Sequence, residues 1–299
     1  MKGGKVAVFG VPTAAAAFAP GPERGPFALR EAGLLNALRA QGATVVNLSD
    51  LSLFPFREDA DHPRARNAPV VACAVAAAGD EMTRALVEGF TVVLGGDCTI
   101  VAGTAAGARA ALGRPVGVIY IDANADLNTP ETSPSGILDG MALALALGRG
   151  PEEVWSKAPA APPLPPDHVV LAGFRELDPS ERTAIGDLAL ALPARAARRL
   201  GMHAVAALAM ESIENEDGPV LVHLDIDAID PTEMPVTGYH TRGEALSLTE
   251  VSDLVTALLA SERTVALEVT EYDPSRDPDG VHGRKLVELI ARAVGRRLR

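Results

Sequence analysis

Eight apolar runs of strand length alternate with helical patterns, and this alternation constrains the fold more than any other sequence feature. The runs lie at residues 5–10, 44–48, 91–94, 116–123, 168–174, 188–192, 220–227 and 264–271. Helical patterns lie between or after them, at 27–40, 68–88, 99–112, 194–213, 248–259 and 281–298. Such alternation is typical of a parallel sheet covered by helices on both faces. The sequence therefore predicts a three-layer α/β/α fold with a mostly parallel, eight-stranded sheet.

The same alternation runs along the whole chain, which bears on the number of domains. A chain of 299 residues can form one large α/β domain or two ordinary ones. Its linker-like segment, APAAPPLPPD at 158–167, is too short to separate independent domains and is predicted as a surface loop before the fifth strand. We therefore expect a single domain over residues 1–299.

Charge and cysteine content narrow the possible partners and the compartment. The net charge of −12 disfavours nucleic acid, and the apolar stretches end well short of the roughly 20 residues that a membrane span needs. No targeting segment opens the chain, and two cysteines, Cys73 and Cys98, do not make a disulfide framework. The sequence predicts a cytoplasmic protein that binds a small molecule, with neither a nucleic acid nor a membrane as partner.

Acidic and polar residues gather where five of the predicted strands end. These endings read GGDC, DANAD, RELDPSE, DIDAIDP and EVTEYDP. In open α/β sheets, ligands bind at the carboxyl ends of the strands. Carboxylates that converge there repel one another unless cations lie between them. The strand ends therefore form a candidate metal site.

Two pairs of aspartates supply most of the candidate metal ligands. Asp122 and Asp126 can face one ion only if the chain curls after the strand. Asp225 and Asp227, two apart on a predicted strand, face the same side. A thiol and an amide complete the set, from Cys98 and Asn124. Together these groups suit two divalent ions that share bridging carboxylates.

The combined motifs resemble those of the ureohydrolase superfamily, which includes arginases and agmatinases. The family motifs GGDHS, DAHxD and SxDxDxxDP are matched here by GGDCT, DANAD and HLDIDAIDP. The similarity extends from GPERGPFALREAGL near the start to EVTEYDP near the end, and it implies an arginase-like fold with two metal ions. It places Cys98, Asp122, Asp126 and Asp225 around one ion, and Asn124, Asp122, Asp225 and Asp227 around the other.

Three histidines of the family are replaced in this chain. Cys98 and Asn124 stand at two of the metal-ligand positions. Asp139, in SGILDG, stands where the family has the histidine of SGNLHG, its proposed proton shuttle. Two interpretations follow: the site has lost its catalytic role in a protein that keeps the fold, or it has been retuned for another substrate or metal.

The residues that hold the substrate in arginases have counterparts here. The resemblance implies that an amino-acid head group is bound by Asn128, Ser135, Asp178 and Glu181. It also implies that Glu271 faces the guanidinium group. Because agmatinases do not need such a clamp, these residues favour an α-amino acid with an amidine-like tail as the substrate.

Several polar residues also have simpler structural interpretations. Asp178 precedes a proline and could act only as a helix N-cap, and Asn128 could only fix its loop through an Asx-turn. His223 is interpreted as a packed residue or one that supports the ligands, rather than as a ligand, because it lies deeper than the aspartates. His240 could be plain surface or could replace the lost proton shuttle, and its neighbour Tyr239 stands where arginases often have threonine.

The predicted chemistry is attack of an activated water on the amidine carbon, followed by protonation of the leaving amine. The resemblance implies that Asp126 is the general acid, with Asp139 or His240 restoring its proton. An added thiolate makes the ions poorer Lewis acids, which suits a more reactive substrate. Hydroxyarginine-hydrolysing relatives of arginase with cysteine at the position of Cys98 resemble this chain, so an N-hydroxyguanidino amino acid ranks before a guanidino one.

The predicted products are an ornithine-like amine and urea or hydroxyurea. The alternative is a non-catalytic protein of this fold that binds an amino acid or stabilises an oligomer. Four carboxylates and an amide favour manganese as the metal, whereas the thiolate of Cys98 favours zinc, cobalt or iron. The family resemblance also implies a homotrimer or a homohexamer.

Overall fold

The computed structural model describes residues 4–159, 164–215 and 217–299. Within these ranges the strands are β1 (Lys5–Gly10), β2 (Thr44–Asn47), β3 (Phe90–Leu94), β4 (Gly117–Ile121), β5 (Val169–Ala172), β6 (Leu190–Leu192), β7 (Val220–Asp225) and β8 (Thr264–Thr270). They form one sheet in the order β2-β1-β3-β8-β7-β4-β5-β6. Every pairing among them is parallel. The predicted eight-stranded sheet is confirmed.

Helices cover both faces of the sheet. They are α1 (Gly25–Glu31), α2 (Leu34–Ala40), α3 (Ala68–Glu88), α4 (Ile100–Leu112), α5 (Ala142–Ala146), α6 (Glu152–Trp155), α7 (Glu181–Ala184), α8 (Ala194–Leu200), α9 (Met202–Ser212), α10 (Leu248–Leu259) and α11 (Val281–Arg297). Side chains of α1, α2 and α8–α11 share a buried cluster with one set of strand residues, including Val6 and Val8. Side chains of α3–α6 share another with the alternate residues, including Ala7 and Phe9. The period-two alternation along each strand therefore separates the two helical layers.

Two helices predicted as continuous are each broken by a glycine. The pattern at 27–40 forms α1 and α2, with Gly33 between them at φ 95°. The pattern at 194–213 forms α8 and α9, with Gly201 between them at φ 81°. Positive φ is nearly free for glycine, so the chain changes direction there without losing the apolar period that made each pair look like one helix.

Two further predictions concern the loop at residues 158–167 and the crossing of a membrane. The predicted loop at 158–167 includes residues 160–163, which lie outside the described residues. In the part of the chain that the structure describes, no helix combines the length and apolar character needed to cross a membrane.

The order of the strands positions the functional site. β3 and β4 follow each other in the sequence, yet β8 and β7 lie between them in the sheet. In a doubly wound sheet, the crevice at the carboxyl ends of the strands near such a reversal is where ligands bind. The four central strands, β3, β8, β7 and β4, therefore deliver their terminal residues to one place.

Candidate metal centre and active site

Residues at the ends of the four central strands converge on a buried cluster. Cys98 follows β3, Asp122 follows β4, Asp225 ends β7 and Glu271 follows β8, and all four side chains are buried. Two more buried aspartates join them from the segments after β4 and β7. We call this cluster the floor of the site; its members are Cys98, Asp122, Asp126, Asp225, Asp227 and Glu271.

The turn after β7 differs from the sequence prediction. Asp225 is the last residue of the strand, and Asp227 lies in a 3₁₀ turn at Ile226–Ala228, so the two do not share one strand face. The Asp225 carboxylate accepts a hydrogen bond from the Asp227 backbone N–H at 2.7 Å, which bends the chain. Asp227 in turn accepts a hydrogen bond from the Ala123 N–H at 3.1 Å. Both aspartates still reach the same cluster, although by a turn rather than by strand alternation.

Asp126 reaches the floor because the chain curls after β4, as predicted. Its φ is 52°, a left-handed conformation that non-glycine residues rarely adopt. Its carboxylate accepts a hydrogen bond from the Tyr120 hydroxyl at 2.6 Å. Glu271 also has a positive φ, 67°. Such conformations cost free energy and are concentrated at functional sites, where the surrounding structure holds them in place.

Ligand-type atoms of the floor lie close enough to share cations. Three groups of three side chains meet this condition. Within each group, one ligand atom from every side chain lies within 4.8 Å of the ligand atoms of the other two. Two of the groups contain the thiol and two contain at least two carboxylates, which is the kind of set that divalent ions bind. The groups are Cys98 with Asp122 and His223, Cys98 with Asp139 and Glu271, and Asp122 with Asp225 and Asp227.

The floor carries uncompensated polar groups that a cation would satisfy. The Oδ2 atom of Asp122 and the Oε1 atom of Glu271 are buried without a hydrogen-bond partner among the described residues. Burial, reinforced by neighbouring carboxylates, raises the pKa of Asp122 and Asp225 well above the usual range. Burial raises the pKa of Asp126 to about 8. Buried carboxylates that cannot ionise freely are stabilised by bound cations, so the floor fits divalent metal ions.

Cys98 is held within the floor in its thiol form. Its Sγ atom donates a hydrogen bond to Asp225 Oδ2 at 3.2 Å and lies 3.0 Å from the Thr270 hydroxyl. Burial and the charge of Asp225 raise the pKa of this thiol well above its usual value. Its backbone N–H donates to Asp139 Oδ1 at 2.9 Å. Metal binding would displace the thiol proton, because the thiolate is the form that coordinates metals.

Asn124 is tied to two neighbours by its amide group. Its Nδ2 atom donates to Asp227 Oδ2 at 3.0 Å, and its Oδ1 atom accepts a hydrogen bond from the Thr241 hydroxyl at 2.6 Å. Only the carbonyl oxygen of an amide can coordinate a cation. The ligand role predicted for Asn124 therefore requires Oδ1 to bind metal in place of, or in addition to, Thr241.

A cavity of about 310 Å³ opens above the floor. Most of the residues predicted from the sequence line it. They are Asn124, Asp126, Asn128, Ser135, Asp139, Asp178, Glu181, Asp225, Asp227, Tyr239 and Glu271. Cys98 and Asp122 lie beneath the lining and are fully buried. We call Asn128, Ser135, Asp178, Glu181 and Tyr239 the rim of the site.

His240 does not join the other predicted residues. It is exposed, its Nδ1 atom lies 3.1 Å from the Thr237 hydroxyl, and it is absent from the described lining of the cavity. Asp139, the other predicted shuttle, lines the cavity and has an oxygen within 4.8 Å of the ligand atoms of Cys98 and Glu271. Of the two predicted shuttle residues, Asp139 therefore lines the cavity and His240 lies outside its described lining.

The rim residues Asn128 and Asp178 form a connected pair. Asn128 Nδ2 donates to Asp178 Oδ2 at 2.8 Å, while Asn128 Oδ1 accepts from the hydroxyls of Thr132 and Ser180, each at 3.0 Å. Asp178 is not the N-cap of α7, because that position is Ser180. Its backbone nevertheless takes part in the turn that begins the helix, since its C=O accepts a hydrogen bond from the Arg182 N–H at 3.1 Å and its N–H donates to Glu181 Oε2 at 2.9 Å. The helix-cap and substrate-binding interpretations of Asp178, which lines the cavity, both stay predictions.

Glu181 braces the rim rather than presenting a free carboxylate. Its two oxygens accept hydrogen bonds from the backbone N–H groups of Leu127 at 3.1 Å and Asp178 at 2.9 Å. Burial raises its pKa. The side chain thus connects the segment after β4 to the segment that carries Asp178, and it fixes the distance across the cavity.

Sequence reasoning missed several residues that shape the site. Tyr120 and Thr270 lie inside apolar strand patterns, where a single polar atom gives no signal. Thr241 holds Asn124 from a loop distant in sequence. Phe18 stacks on Tyr239 at the cavity, with ring centroids 5.1 Å apart, although both rings are substantially exposed. Only three-dimensional proximity reveals these contacts.

The fold and the site together define a class of protein: a parallel α/β/α sheet with a carboxylate-rich metal centre at the ends of its central strands. Comparisons with known proteins agree. The model of the arginase family matches residues 4–295. The arginase of Bacillus caldovelox is 33% identical over 301 residues, which covers 98% of this chain and 99% of that protein.

Solved structures give the same result. The chain superposes on the arginase of Bacillus cereus with a TM-score of 0.87 at 30% identity, over 98% of each chain. It superposes on the arginase of Entamoeba histolytica with a TM-score of 0.88 at 28% identity, over 99% of this chain and 100% of that chain. The chain belongs to the arginase family.

Proposed function

We propose that this protein is a metal-dependent hydrolase that cleaves a C–N bond in the tail of an arginine-like amino acid. The observation that carries the proposal is the cavity above the floor, where several buried carboxylates converge. The ion pairs of the described residues include none between a floor carboxylate and a lysine or arginine. A site with this charge suits bound metal ions together with a cationic or strongly polar substrate.

Two divalent ions would be held by the floor residues, with Asn124 added at one position. Asp122 could contact both ions, since it belongs both to the group with Cys98 and to the group with Asp227. Asp225 belongs to the second of these groups, and its Oδ2 atom lies 3.2 Å from Cys98 Sγ, so it could contact both ions too. When bound, such ions supply an activated water and polarise the amidine group. The oxygen-rich group of Asp122, Asp225 and Asp227 favours manganese.

The chain's own residues would orient the substrate along the cavity. Asp178 and Asn128, joined at 2.8 Å, offer a carboxylate and an amide to an α-amino acid head group. Glu271 lies deeper in the same cavity with its Oε1 atom unpartnered in the described chain, placed to accept N–H groups of an amidine-like tail. The structure of the Entamoeba histolytica arginase contains L-ornithine, which supports an amino acid of this length as the occupant.

Asp126 and Asp139 would handle the protons. The buried Asp126 carboxylate would take the proton that the attacking water loses. The Tyr120 hydroxyl, 2.6 Å away, fixes its orientation toward the cavity. As general acid, Asp126 would protonate the leaving amine, and Asp139 would return a proton to it from the cavity side.

An N-hydroxyguanidino amino acid ranks first as the substrate. A thiolate at Cys98 would add negative charge to the residues that hold the ions, and the ions would then activate water less strongly. The electron-withdrawing oxygen of an N-hydroxyguanidine leaves more of the group uncharged and electrophilic at neutral pH. The weaker nucleophile and the more reactive substrate are therefore matched, and the products would be hydroxyurea and an ornithine-like amine.

The experiment is a screen of guanidino and N-hydroxyguanidino amino acids with manganese-loaded and zinc-loaded protein. We expect hydrolysis of both classes, with kcat/KM higher for the N-hydroxy compound. Higher kcat/KM for the plain guanidino compound would retain the enzyme and overturn the substrate ranking. No turnover of either class, with metal bound and the fold intact, would favour the alternative of a binding protein.

Assembly and location belong to the same proposal. By analogy with its family, we expect a single cooperative domain that assembles as a homotrimer or homohexamer in the cytoplasm. Sedimentation velocity at micromolar concentration measures the assembly directly. A monomer that retains full activity would rule out a role for oligomerisation in forming the site.

A further inference from the structure

A buried histidine lies beneath the floor without a role in the chemistry described above. His223, on β7, is fully buried. Its Nδ1 atom lies 2.7 Å from Glu268 Oε1, and Glu268 Oε2 accepts a hydrogen bond from the Thr104 hydroxyl at 2.6 Å. In the neutral imidazole, a carboxylate that accepts the Nδ1 proton leaves Nε2 unprotonated, with its lone pair available.

The imidazole ring is locked in place. It stacks on the Tyr120 ring with centroids 4.2 Å apart and an interplanar angle of 1°. A metal-binding histidine usually donates its other ring N–H to a carboxylate, and this contact fixes the orientation of the ring. The same Tyr120 donates its hydroxyl to Asp126, so ring and floor are positioned together.

The lone pair of His223 Nε2 is poorly satisfied by the protein. Its partner is the Thr270 hydroxyl at 3.4 Å, which also lies 3.0 Å from Cys98 Sγ and 3.4 Å from the Leu224 carbonyl oxygen. A hydroxyl has one hydrogen and serves one of these acceptors well. A hydrogen bond of 3.4 Å is long for an O–H donor. The nitrogen is thus a buried acceptor with room for a better partner.

Cys98 and Asp122 place metal-binding atoms beside that nitrogen. A His223 ring nitrogen, the Cys98 thiol and an Asp122 carboxylate oxygen lie within 4.8 Å of one another, and all three side chains are buried. Asp122 Oδ2 has no hydrogen-bond partner in the described chain. We propose that His223 is a ligand of the ion that Cys98 and Asp122 hold, so that an imidazole from β7 replaces the one that Cys98 has displaced.

This arrangement makes the two metal positions chemically different. Thiolate, imidazole and carboxylate form the donor set that zinc and cobalt prefer, whereas the group of Asp122, Asp225 and Asp227 offers only oxygen. On binding, the Cys98 thiol would release its proton to solvent and exchange its hydrogen bond with Asp225 for a bond to the ion. The inference rests on the metal centre of the proposed function and assigns one ligand within it.

The test compares zinc and cobalt binding in three variants. The single variant His223→Ser removes the imidazole. The double variant Cys98→His, His223→Ser replaces the thiol with an imidazole, which would reach the same metal position from residue 98. His203→Gln, on the exposed surface of α9, is the matched control. The measurements are ions bound per chain after equilibrium dialysis, the thiolate-to-cobalt charge-transfer absorption, and the shift in Tm that zinc adds to each metal-free variant.

We expect His223→Ser to weaken zinc binding at the thiolate position by about 100-fold or more, beyond the 10–100-fold typical of a lost supporting contact. Its zinc-induced Tm shift should shrink, and the double variant should regain it without the charge-transfer band. Each Tm shift compares one variant with and without zinc. A lower stability of the metal-free variant therefore does not by itself reduce the shift. His203→Gln should match the wild type.

Zinc affinity and cobalt absorption that are unchanged in His223→Ser would overturn the ligand role and leave His223 as a packing residue. An X-ray absorption spectrum of the zinc-loaded wild type that shows sulfur but no imidazole would overturn it too. If instead the wild type binds no ion at any position, the proposed function itself fails. The two failures are therefore distinguishable.

Discussion

The floor and the rim of the site are built in different ways. Floor residues such as Asp122 and Asp225 come directly from the ends of central strands and are almost completely buried. Rim residues such as Ser135, Asp178 and Tyr239 lie in connecting segments, and Tyr239 is 50% exposed. The sheet fixes the floor through backbone pairing, whereas side-chain hydrogen bonds and loop contacts fix the rim.

This difference in construction implies different functions for the floor and the rim. A rigid, buried cluster of carboxylates determines which cations bind, because its geometry cannot adjust to a poor ligand. A loop-built rim determines which substrate fits, because loops change without disturbing the core. Variants of the floor should therefore alter metal binding, and variants of the rim should alter substrate selectivity with the metal retained.

The largest effect is expected from Asp122→Asn or Asp225→Asn. Asp122 belongs to two of the candidate ligand groups, and Asp225 contacts Cys98 as well as sharing a group with Asp227. Replacing either carboxylate with a neutral amide should therefore remove both ions rather than one. Metal analysis after dialysis checks this. The rim variant Ser135→Ala should keep both ions. Full metal content in either floor variant would remove the bridging role.

The second-largest effect is expected in the pH dependence of the free energy of unfolding of the metal-free protein. Burial raises the folded-state pKa of Asp126 from 3.8 to about 8, so its stabilising contribution is complete at low pH and is lost as the pH rises through that range. We expect the free energy of unfolding of the metal-free protein to fall between pH 5 and pH 8, by up to about 1.4 kcal/mol per pH unit from this group.

Urea unfolding of metal-free wild type and metal-free Asp126→Asn at several pH values measures that contribution. The variant should show a smaller decline, because its side chain does not ionise. Added metal should remove the decline in the wild type, since cations stabilise the ionised carboxylates. An identical pH slope in the two metal-free proteins would show that Asp126 ionises in the folded state as easily as in water.

A moderate effect is expected from Asp178→Asn on the rim. The change removes a charge while retaining an oxygen for the hydrogen bond from Asn128. Substrates with an α-amino group should lose about 10- to 100-fold in kcat/KM, since a charge-assisted hydrogen bond contributes about 1.5–3 kcal/mol. The corresponding deamino compounds should change little. Equal losses for both compounds would make Asp178 a purely structural residue.

The smallest effect is expected from Tyr239→Leu at the mouth of the cavity. The variant keeps an apolar side chain but loses the stacking on Phe18, which is worth about 0.5–1.5 kcal/mol beyond the buried area. Because both rings are exposed, we expect KM to rise by about twofold to tenfold with kcat unchanged. A large fall in kcat would place this pair in the chemistry instead.

Much of the floor was predictable from the sequence because strand ends combine two strong local signals. An apolar run followed by Asp gives both the strand and the polar residue that it delivers, as at Asp122 and Asp225. The turn at Asp227 was assigned to the strand because DIDAID continues the same alternation. A hydrogen bond that the Asp225 carboxylate accepts from the Asp227 N–H, which the pattern does not contain, ends the strand.

The rim and the support beneath the floor were less predictable. Asn128 and Asp178 are 50 positions apart, and their contact depends on loop paths that composition does not determine. The sequence predicts a packed or supporting role for His223, because its side chain points with the aspartates but lies deeper. Its distinguishing features, the Glu268 partner and the stacked Tyr120 ring, come from other strands and become visible only when the sheet order is known.

The most direct test of the central claim is the number of divalent ions that the purified wild-type protein binds at equilibrium. Metal-free protein would be dialysed against manganese and zinc and analysed for metal, with circular dichroism to confirm the fold and hydrolysis of the N-hydroxyguanidino analogue of arginine measured on the same samples. We predict two ions per chain and hydrolysis that a chelator abolishes and added metal restores. A folded protein that binds no ion would contradict the claim.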